Sequence, residues 1–542
     1  MVSQTPTRGR VVLFLPHRAD PGRGEVFSAD LLPLELLQIA SGPVADGYEV
    51  VLIDAMIEPD YIAKVLEACD GALVFASSCI LGYQVYDGFV VAQAVRERYP
   101  NLPIVWGGWF PSVIPEMYLE GGIADAVGLG QGELTFREVV QAIDAGESLE
   151  KVDGLAILRD GKVHYTNHRE VVGFERFEPV PWHLLEYERY ATLQTTPTKM
   201  KVRHRFPLPG HWTPSNPPRG FSHFSSFGCP EPCTFCCSPR VTGRRWKAIG
   251  GKELAEEIAE LQQRFKFDVL RFQDANFGVA EKRTKEFCET LIDLKVPIHW
   301  NGTIEIETIM RYKEETLDLL RDSQCHLLWL GAETGDQNMQ NEIGKKIALG
   351  HIPTAIGKLA DRGIVPGTFW IIGYPGETEE TMAETLRWAA AIKHRYPIAG
   401  SEVYPFRPIP GTVDYDRAVE MGYQPPKDFD EWGNCFEYKY NSQNTPLPDT
   451  IRDTWRRYNN TAAFYDMHVS EGSQWVRRTM SRIAGWRLRT GNYTFPVEQK
   501  LFDLYVRMSG QRQAAAEDVS EDYQQLQPET HAGKLAVMNK GA

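Results

Sequence analysis

Long apolar runs are missing from this 542-residue chain. The longest, VVLFLP near the start and LLWLGA near residue 330, fall far below the roughly 20 residues that cross a bilayer, so no membrane span is expected. The opening MVSQTPTRGRVVLFLP has two arginines before a short apolar run but no small-residue cleavage site, and the chain reads as unprocessed and cytoplasmic. An excess of basic charge is missing too. Lys and Arg number 58 against 72 Asp and Glu, and the net charge of −14 is the wrong sign of field for a phosphate backbone, so no nucleic-acid partner is expected. A disulfide framework is excluded by an odd count of nine cysteines, of which Cys69, Cys79, Cys288, Cys325 and Cys435 lie scattered in hydrophobic contexts and read as reduced thiols. No GxGxxG turn follows the first strand, which removes the simplest dinucleotide site. No second CxxC or HxxxH pair is present to build the usual two-part structural zinc site.

What is present is ordinary globular composition, 43% hydrophobic and 24% charged, in a chain too long for one core. The fold class read from the patterning is α/β. Residues 10–148 alternate short apolar strands (RVVLFLP, YEVVLIDA, GALVFASS, LPIVWGG, ADAVGLG) with helices, the pattern of a doubly wound parallel sheet that binds ligands beyond its strand C-termini. Residues 149–220 read as connecting structure. They hold a hairpin around Asp160-Gly161 and a Pro-rich stretch in which Trp182 and Trp212 call for burial.

A second alternation fills 221–412 with the strands FSHFSSF, DVLRFQD, IHWNGT, HLLWLGAE, GTFWIIG and SEVYPFRP. Between the first two, Leu254, Ile258, Leu261 and Phe265 share one helix face. Six such units suggest a partial (β/α)6 barrel of the TIM type, whose chemistry sits at the strand C-termini. Residues 413–510 read as a mostly helical, aromatic and basic cap on the substrate side. The polar stretch 511–542 reads as a disordered tail.

Directly after the first barrel strand stands GCPEPCTFCC, which places Cys229, Cys233, Cys236 and Cys237 within ten residues. A loop this short can wrap three thiolates around one inorganic core. Three ligands on a [4Fe-4S] cluster leave one iron open to a substrate, which a four-thiolate electron carrier does not. Cys237 reads as an adjacent thiol that does not coordinate. The pattern Cys229-x3-Cys233-x-Phe235-Cys236 resembles the signature of radical S-adenosylmethionine (SAM) enzymes. The resemblance implies that the open iron takes the amino and carboxylate groups of SAM, and that reduction splits the sulfonium into methionine and a 5′-deoxyadenosyl radical. It further implies SAM-side roles for Phe235 and for the polar strand ends Asp274, Asn276, Asn301 and Glu333, with Gly373 admitting the adenine; for each of these a turn or capping role is the alternative.

Taken with the first sheet, the order resembles cobalamin-binding radical SAM proteins over roughly residues 10–410. Ser77, Ser78, Gly107, Gly108, Gly130, Gly132 and Glu133 match that family's cobalamin-side positions, where tight turns are the plain alternative. One departure concerns the DxHxxG motif. His17 follows the first strand, but Leu15 and Asp20 stand where the motif has Asp and Gly, so the resemblance implies cobalamin without a protein histidine on cobalt. The reaction implied is methylation of an unactivated carbon of a small-molecule substrate, with a reducing partner such as flavodoxin or ferredoxin. Oxidative ring closure of the anaerobic magnesium-protoporphyrin ester cyclase type is the alternative, and a tRNA methylthiotransferase the second. Glu402, Tyr404 and Arg407 on the sixth strand read as substrate-facing or as a salt-bridge group.

Overall fold

The computed structural model describes residues 8–18, 31–195, 209–213, 216–435, 447–466 and 474–494, with 496, 497 and 500. Asp20 and the expected tail at 511–542 lie outside the described residues. Seven strands form the first sheet: β1 Arg10–Leu15, β2 Glu49–Asp54, β3 Val74–Ser78, β4 Ile104–Gly107, β5 Ala126–Gly128, β6 Leu155–Arg159 and β7 Lys162–Tyr165. Their order is β2-β1-β3-β4-β5-β6-β7, parallel through β5 and antiparallel thereafter. Both faces carry helices. Val12, Phe14, Phe75 and Trp106 pack on one side and Val11, Leu13, Ala76 and Val105 on the other, which is why these strands read as unbroken apolar runs. The sheet is longer than the five strands legible in the sequence, because the hairpin turning at Asp160-Gly161 adds β6 and β7 to its edge.

The second sheet contains β8 Gly220–His223, β11 Val269–Phe272, β12 His299–Thr303, β13 Cys325–Glu333, β14 Val365–Ile372 and β15 Gly400–Pro405, all parallel and in chain order. The stretch FSHFSSF is not one strand. It breaks after His223 and resumes as β9 Ser226–Gly228, which pairs with β10 Trp246–Ala248 in a separate antiparallel ribbon. Asp274 holds the break. Its Oδ1 accepts from Ser225 N at 2.7 Å, and its Oδ2 accepts from the hydroxyls of Ser225 and Ser226 at 2.5 and 2.7 Å. The ribbon closes the base of the loop that carries the cysteines.

Six strands leave a barrel open, and an open strand edge invites pairing with another chain. Here both edges are covered by side chains. On β8, Tyr187 Oη and Gln194 Nε2 each donate to Gly220 O at 3.1 Å, and Gly220 N donates to Gln194 Oε1 at 2.6 Å. On β15, Trp455 Nε1 and Asn459 Nδ2 donate to Val403 O at 2.7 and 3.3 Å, and Tyr458 Oη donates to Ser401 O at 2.6 Å. The aromatics of the C-terminal helix Asp449–Tyr465, expected to face a substrate, therefore serve as an edge cover. Those of Phe429–Cys435 enter the core of the first domain. Phe429 stacks on Phe89 at 4.5 Å, and Trp432 meets Phe110 at 5.0 Å.

The helix Tyr187–Thr195 also ties the two domains. Tyr190 Oη donates to Asp54 Oδ2 at 2.8 Å, and Arg189 pairs with Glu58. Asp54 is 2% exposed, and its burial pushes the carboxyl up from 3.8 to about 6. A raised folded-state value means that the folded chain holds a proton the unfolded chain has released, so this group's contribution to stability is full below pH 3.8 and is lost as pH rises through about 6. Asp54→Asn keeps the acceptor for Met56 N and cannot ionise. Relative to wild type, it is expected to gain about 3 kcal/mol across that window, measured by urea unfolding at each pH.

Candidate functional site

The cysteine loop leaves the ribbon at Gly228, whose φ of 82° a side chain would strain. It is pinned from two sides. Thr234 N donates to Ile343 O at 3.0 Å, and Thr234 Oγ1 donates to Asp414 Oδ2 at 2.6 Å. Cys229 and Cys233 are buried, while Cys236 and Cys237 are half-buried. Burial pushes the Cys229 thiol up to about 11 and Cys233 higher still, so neither ionises without a cation to bind it. Cys237 hydrogen-bonds Cys236, whose sulfur also accepts from Ser238 N at 3.4 Å. Among the described residues no three His, Cys, Asp or Glu side chains converge as a single metal ion would require. Thiols clustered in one short loop are the donor chemistry of a multi-iron core.

Beside the loop lies a buried charge triad of which the sequence reading had only Glu333. Lys345 Nζ sits 2.8 Å from Glu305 Oε2 and 3.1 Å from Glu333 Oε1, with 6% of its side chain exposed. Burial works against the ammonium, but the two carboxylates outweigh it and hold Lys345 well above its ordinary value. Burial raises the Glu333 carboxyl, with Lys345 opposing. Glu333 closes β13 in the left-handed region at φ 61°, a conformation that turns its side chain onto the lysine.

The other SAM-side expectations divide. Gly373, at φ 87°, follows β14, and its N and that of Tyr374 donate to Glu377 Oε2 at 2.6 and 3.1 Å. Glu377 is pushed up to about 7 by burial. Phe235 meets the ring of Tyr374 edge-on at 5.7 Å. Asn276 Oδ1, Tyr374 Oη and Glu377 Oε1 are buried with no hydrogen-bond partner. Orphaned buried polar atoms are costly, and several at one mouth fit a polar ligand such as a nucleoside. Asp274, by contrast, accepts three bonds at the strand break. Asn301 is mid-strand in β12 rather than at its end, so it lies deeper in the barrel.

In the first domain the expected positions gather at the C-terminal ends of β3, β4 and β5. Ser77 Oγ donates to Phe14 O at 3.0 Å. Ser78 Oγ lies 2.7 Å from where a Cβ on Gly108 would stand, and Gly108 has φ 93°. A Cβ on Gly107 would meet nothing within 4 Å, so room is kept there that no protein atom fills. Gly132 precedes the helix Glu133–Asp144, and burial pushes the Glu133 carboxyl up to about 7. His17 N donates to Asp87 Oδ2 at 2.8 Å, and its ring stands edge-on to Tyr61 at 5.3 Å. A Cβ on Gly130 (φ 77°) would lie 3.2 Å from Val241 O in the helix Ser238–Thr242, and one on Gly411 would lie 3.1 Å from Val113. At these points the strand C-termini of the two domains face each other, with the cysteine loop between them.

On β15, Glu402 and Tyr404 alternate with buried Val403, and Tyr404 Oη donates to Glu402 Oε2. Arg407 follows the strand, half-buried.

Comparisons with known proteins agree with this layout. The radical SAM superfamily model matches residues 224–389, and the B12 binding domain model matches residues 23–140. An uncharacterised methyltransferase of Pyrococcus horikoshii is 26% identical over 392 residues, covering 71% of this chain and 78% of the relative. The anaerobic magnesium-protoporphyrin IX monomethyl ester cyclase of Synechocystis is 26% identical over 385 residues, covering 70% and 71%. The radical SAM methyltransferase TsrM of Kitasatospora setae, solved with cobalamin and a [4Fe-4S] cluster, shares the fold with a TM-score of 0.60 at 15% identity, covering 90% of this chain and all of that one. Among the described residues no helix is long and apolar enough to cross a membrane.

Proposed function

The chain belongs to the cobalamin-binding radical SAM enzymes, of methyltransferase type, and on that premise we propose that it moves a methyl group onto an unactivated carbon of a small-molecule biosynthetic intermediate. Its cofactors are a [4Fe-4S] cluster, SAM and cobalamin. When bound, the cluster supplies the electron that cleaves SAM, and cobalamin carries the methyl group in transit.

The residues divide this work by position. Cys229, Cys233 and Cys236 hold the cluster. The Glu305–Lys345–Glu333 triad, one cation between two carboxylates, would offer its acidic side to the ammonium at the methionine end of SAM. Asn276, Tyr374 and Glu377 offer their unpaired atoms to the nucleoside, with Phe235 alongside the base, while the bare Cα of Gly373 makes room for Leu447, which a Cβ there would meet at 2.7 Å. Ser77, Ser78, Gly107, Gly108, Gly130, Gly132 and Glu133 line the cobalamin side. His17 would stay off the cobalt, its backbone N–H held by Asp87 and its ring packed on Tyr61. Glu402, Tyr404 and Arg407 stand on the substrate side, and a reducing partner such as flavodoxin or ferredoxin supplies electrons. Burial between two domains keeps dioxygen and stray hydrogen donors from a carbon-centred radical and holds the reacting groups within reach of one another.

The observation that carries this reading is the meeting of Gly130 with Val241, where the glycine-lined ends of the first sheet abut the helix leaving the cysteine loop. Protein reconstituted anaerobically with iron, sulfide and cobalamin is expected to release 5′-deoxyadenosine from SAM under dithionite. Extracts incubated with trideuteromethyl SAM are expected to yield one metabolite carrying the label on carbon. A product with an extra ring and no label would replace methylation by the cyclase reaction, which the similarity to the Synechocystis enzyme makes the next reading.

A further inference from the structure

Beneath the Glu333–Lys345 pair the barrel wall is aromatic. Leu328, Leu330 and Trp370 pack outward against the helices, so the two-residue period of β13 and β14 turns Trp329, Gly331, Gly367 and Phe369 into the bore. Trp329 and Phe369 are stacked with centroids 5.0 Å apart and planes 10° from parallel, and Tyr404 of β15 joins Phe369 at 6.0 Å. Two glycines make this surface. A Cβ on Gly367 would stand 2.7 Å from the Trp329 ring, so that position must be bare for the indole to fit. Gly331, opposite Phe369 in register, leaves its space to the Glu333 carboxylate, which a Cβ there would overlap, and to Lys345 Nζ, which it would meet at 2.9 Å, so a polar lid borders the stack.

A barrel interior is ordinarily sealed by layers of branched aliphatic residues. Here all three rings remain half-accessible. On the neighbouring strand Trp300 packs outward, so Asn301 turns inward, one inward position below Thr303, which lies opposite Trp329. Asn301 is 7% exposed, and its Oδ1 has no hydrogen-bond partner.

We propose that this bore binds a planar aromatic or heteroaromatic substrate, its ring laid against Trp329 and Phe369 and an N–H or O–H on its edge donated to Asn301 Oδ1. The inference rests on the reading that the barrel acts on a small molecule, and it names the class. Ring-on-ring contact selects flatness, and a lone buried acceptor selects a donor on one edge, since leaving it unpaired costs affinity. The site lies on the same strand as Glu333, one inward layer below the Lys345 triad.

Three probes of nearly equal size separate these demands on the full chain by saturation-transfer NMR and equilibrium dialysis under anaerobic conditions. Indole is expected to bind, benzofuran, which lacks the N–H, about tenfold more weakly, and octahydrobenzofuran, neutral like benzofuran but without the flat ring, not detectably. Trp329→Leu and Phe369→Leu are expected to lower indole affinity about tenfold or more, Phe369→Tyr to retain it, and Asn301→Ala to bring indole down to the level of benzofuran. Equal binding of benzofuran and octahydrobenzofuran to the wild type, no binding of any probe, or wild-type affinity in both leucine variants would overturn the assignment. The comparison of probes on the wild type needs no variant to fold. Deoxyadenosine release by the same preparation reports separately on the radical SAM reading: release without ring binding removes the aromatic class alone, whereas ring binding without release leaves the bore and removes its premise.

Discussion

Replacing Cys229, Cys233 or Cys236 singly by alanine is expected to leave the protein with background iron and no release of 5′-deoxyadenosine, whereas Cys237→Ala retains both. The expectation follows from how the loop is held. Gly344, at φ 75°, packs against Pro232 O, and Thr234 is fixed by Ile343 and Asp414. A loop pinned at these points cannot slide one residue to bring Cys237 into the place of Cys236. Two remaining thiolates cannot offset the ionisation of two buried thiols. Iron analysis, the visible absorption of the cluster and chromatography of the nucleoside products check the four variants. Iron retained in Cys236→Ala and lost in Cys237→Ala would move the third ligand by one position and show the loop to be mobile.

Gly107→Leu is expected to leave the cobalamin-free protein folded and to weaken cobalamin retention by about 10- to 100-fold. Gly107 does not have a positive φ, and a Cβ there meets no atom within 4 Å, so the protein by itself has no reason to exclude a side chain. If the volume belongs to a ligand, an isobutyl group overpacks it at roughly 1–3 kcal/mol, which gives that range in affinity. The thermal midpoint without cobalamin is expected to move by no more than about 2 °C. Gly108→Ala is the contrasting variant. Its Cβ would run into Cys79 O from a backbone at φ 93°, so it is expected to lower stability even without ligand. Thermal melts of both forms and cobalamin retention on gel filtration distinguish the two. Undiminished retention in Gly107→Leu would take cobalamin away from the end of β4.

How much of this was legible beforehand depends on the range of the interaction. The barrel strands and the helix face of Leu254, Ile258, Leu261 and Phe265 are written locally, as apolar runs and a 3.6-residue period, and the helix buries those four residues. The cysteine spacing is local as well. Lys345 is not. It precedes Lys346 in IGKKIA, and nothing nearby in the chain tells the buried lysine from the exposed one; the turn at Gly344 against Pro232, more than a hundred positions earlier, decides it. Glu305 sits among alternating polar and apolar residues and looks like a solvated face until Lys345 arrives. Asp274 read as a ligand because it ends a strand, but its three hydrogen bonds go to Ser225 and Ser226, a strand neighbour that only the folded sheet supplies. Trp455 and Tyr458 looked like substrate contacts because aromatics in a polar segment suggest binding. Their partners are backbone carbonyls of a sheet edge, and an edge is defined only once the strand order is known.

Phe429 and Trp432 set the timing of synthesis. They fill the core of a sheet whose five parallel strands have all left the ribosome about 300 residues earlier, an interval of roughly 15–60 s at ordinary elongation rates. Throughout that interval Phe89, Phe110 and Tyr118 lack the partners they stack on, and the nascent chain presents a greasy notch to everything around it. The first sheet thus completes its core only after the helix Phe429–Cys435 has been made.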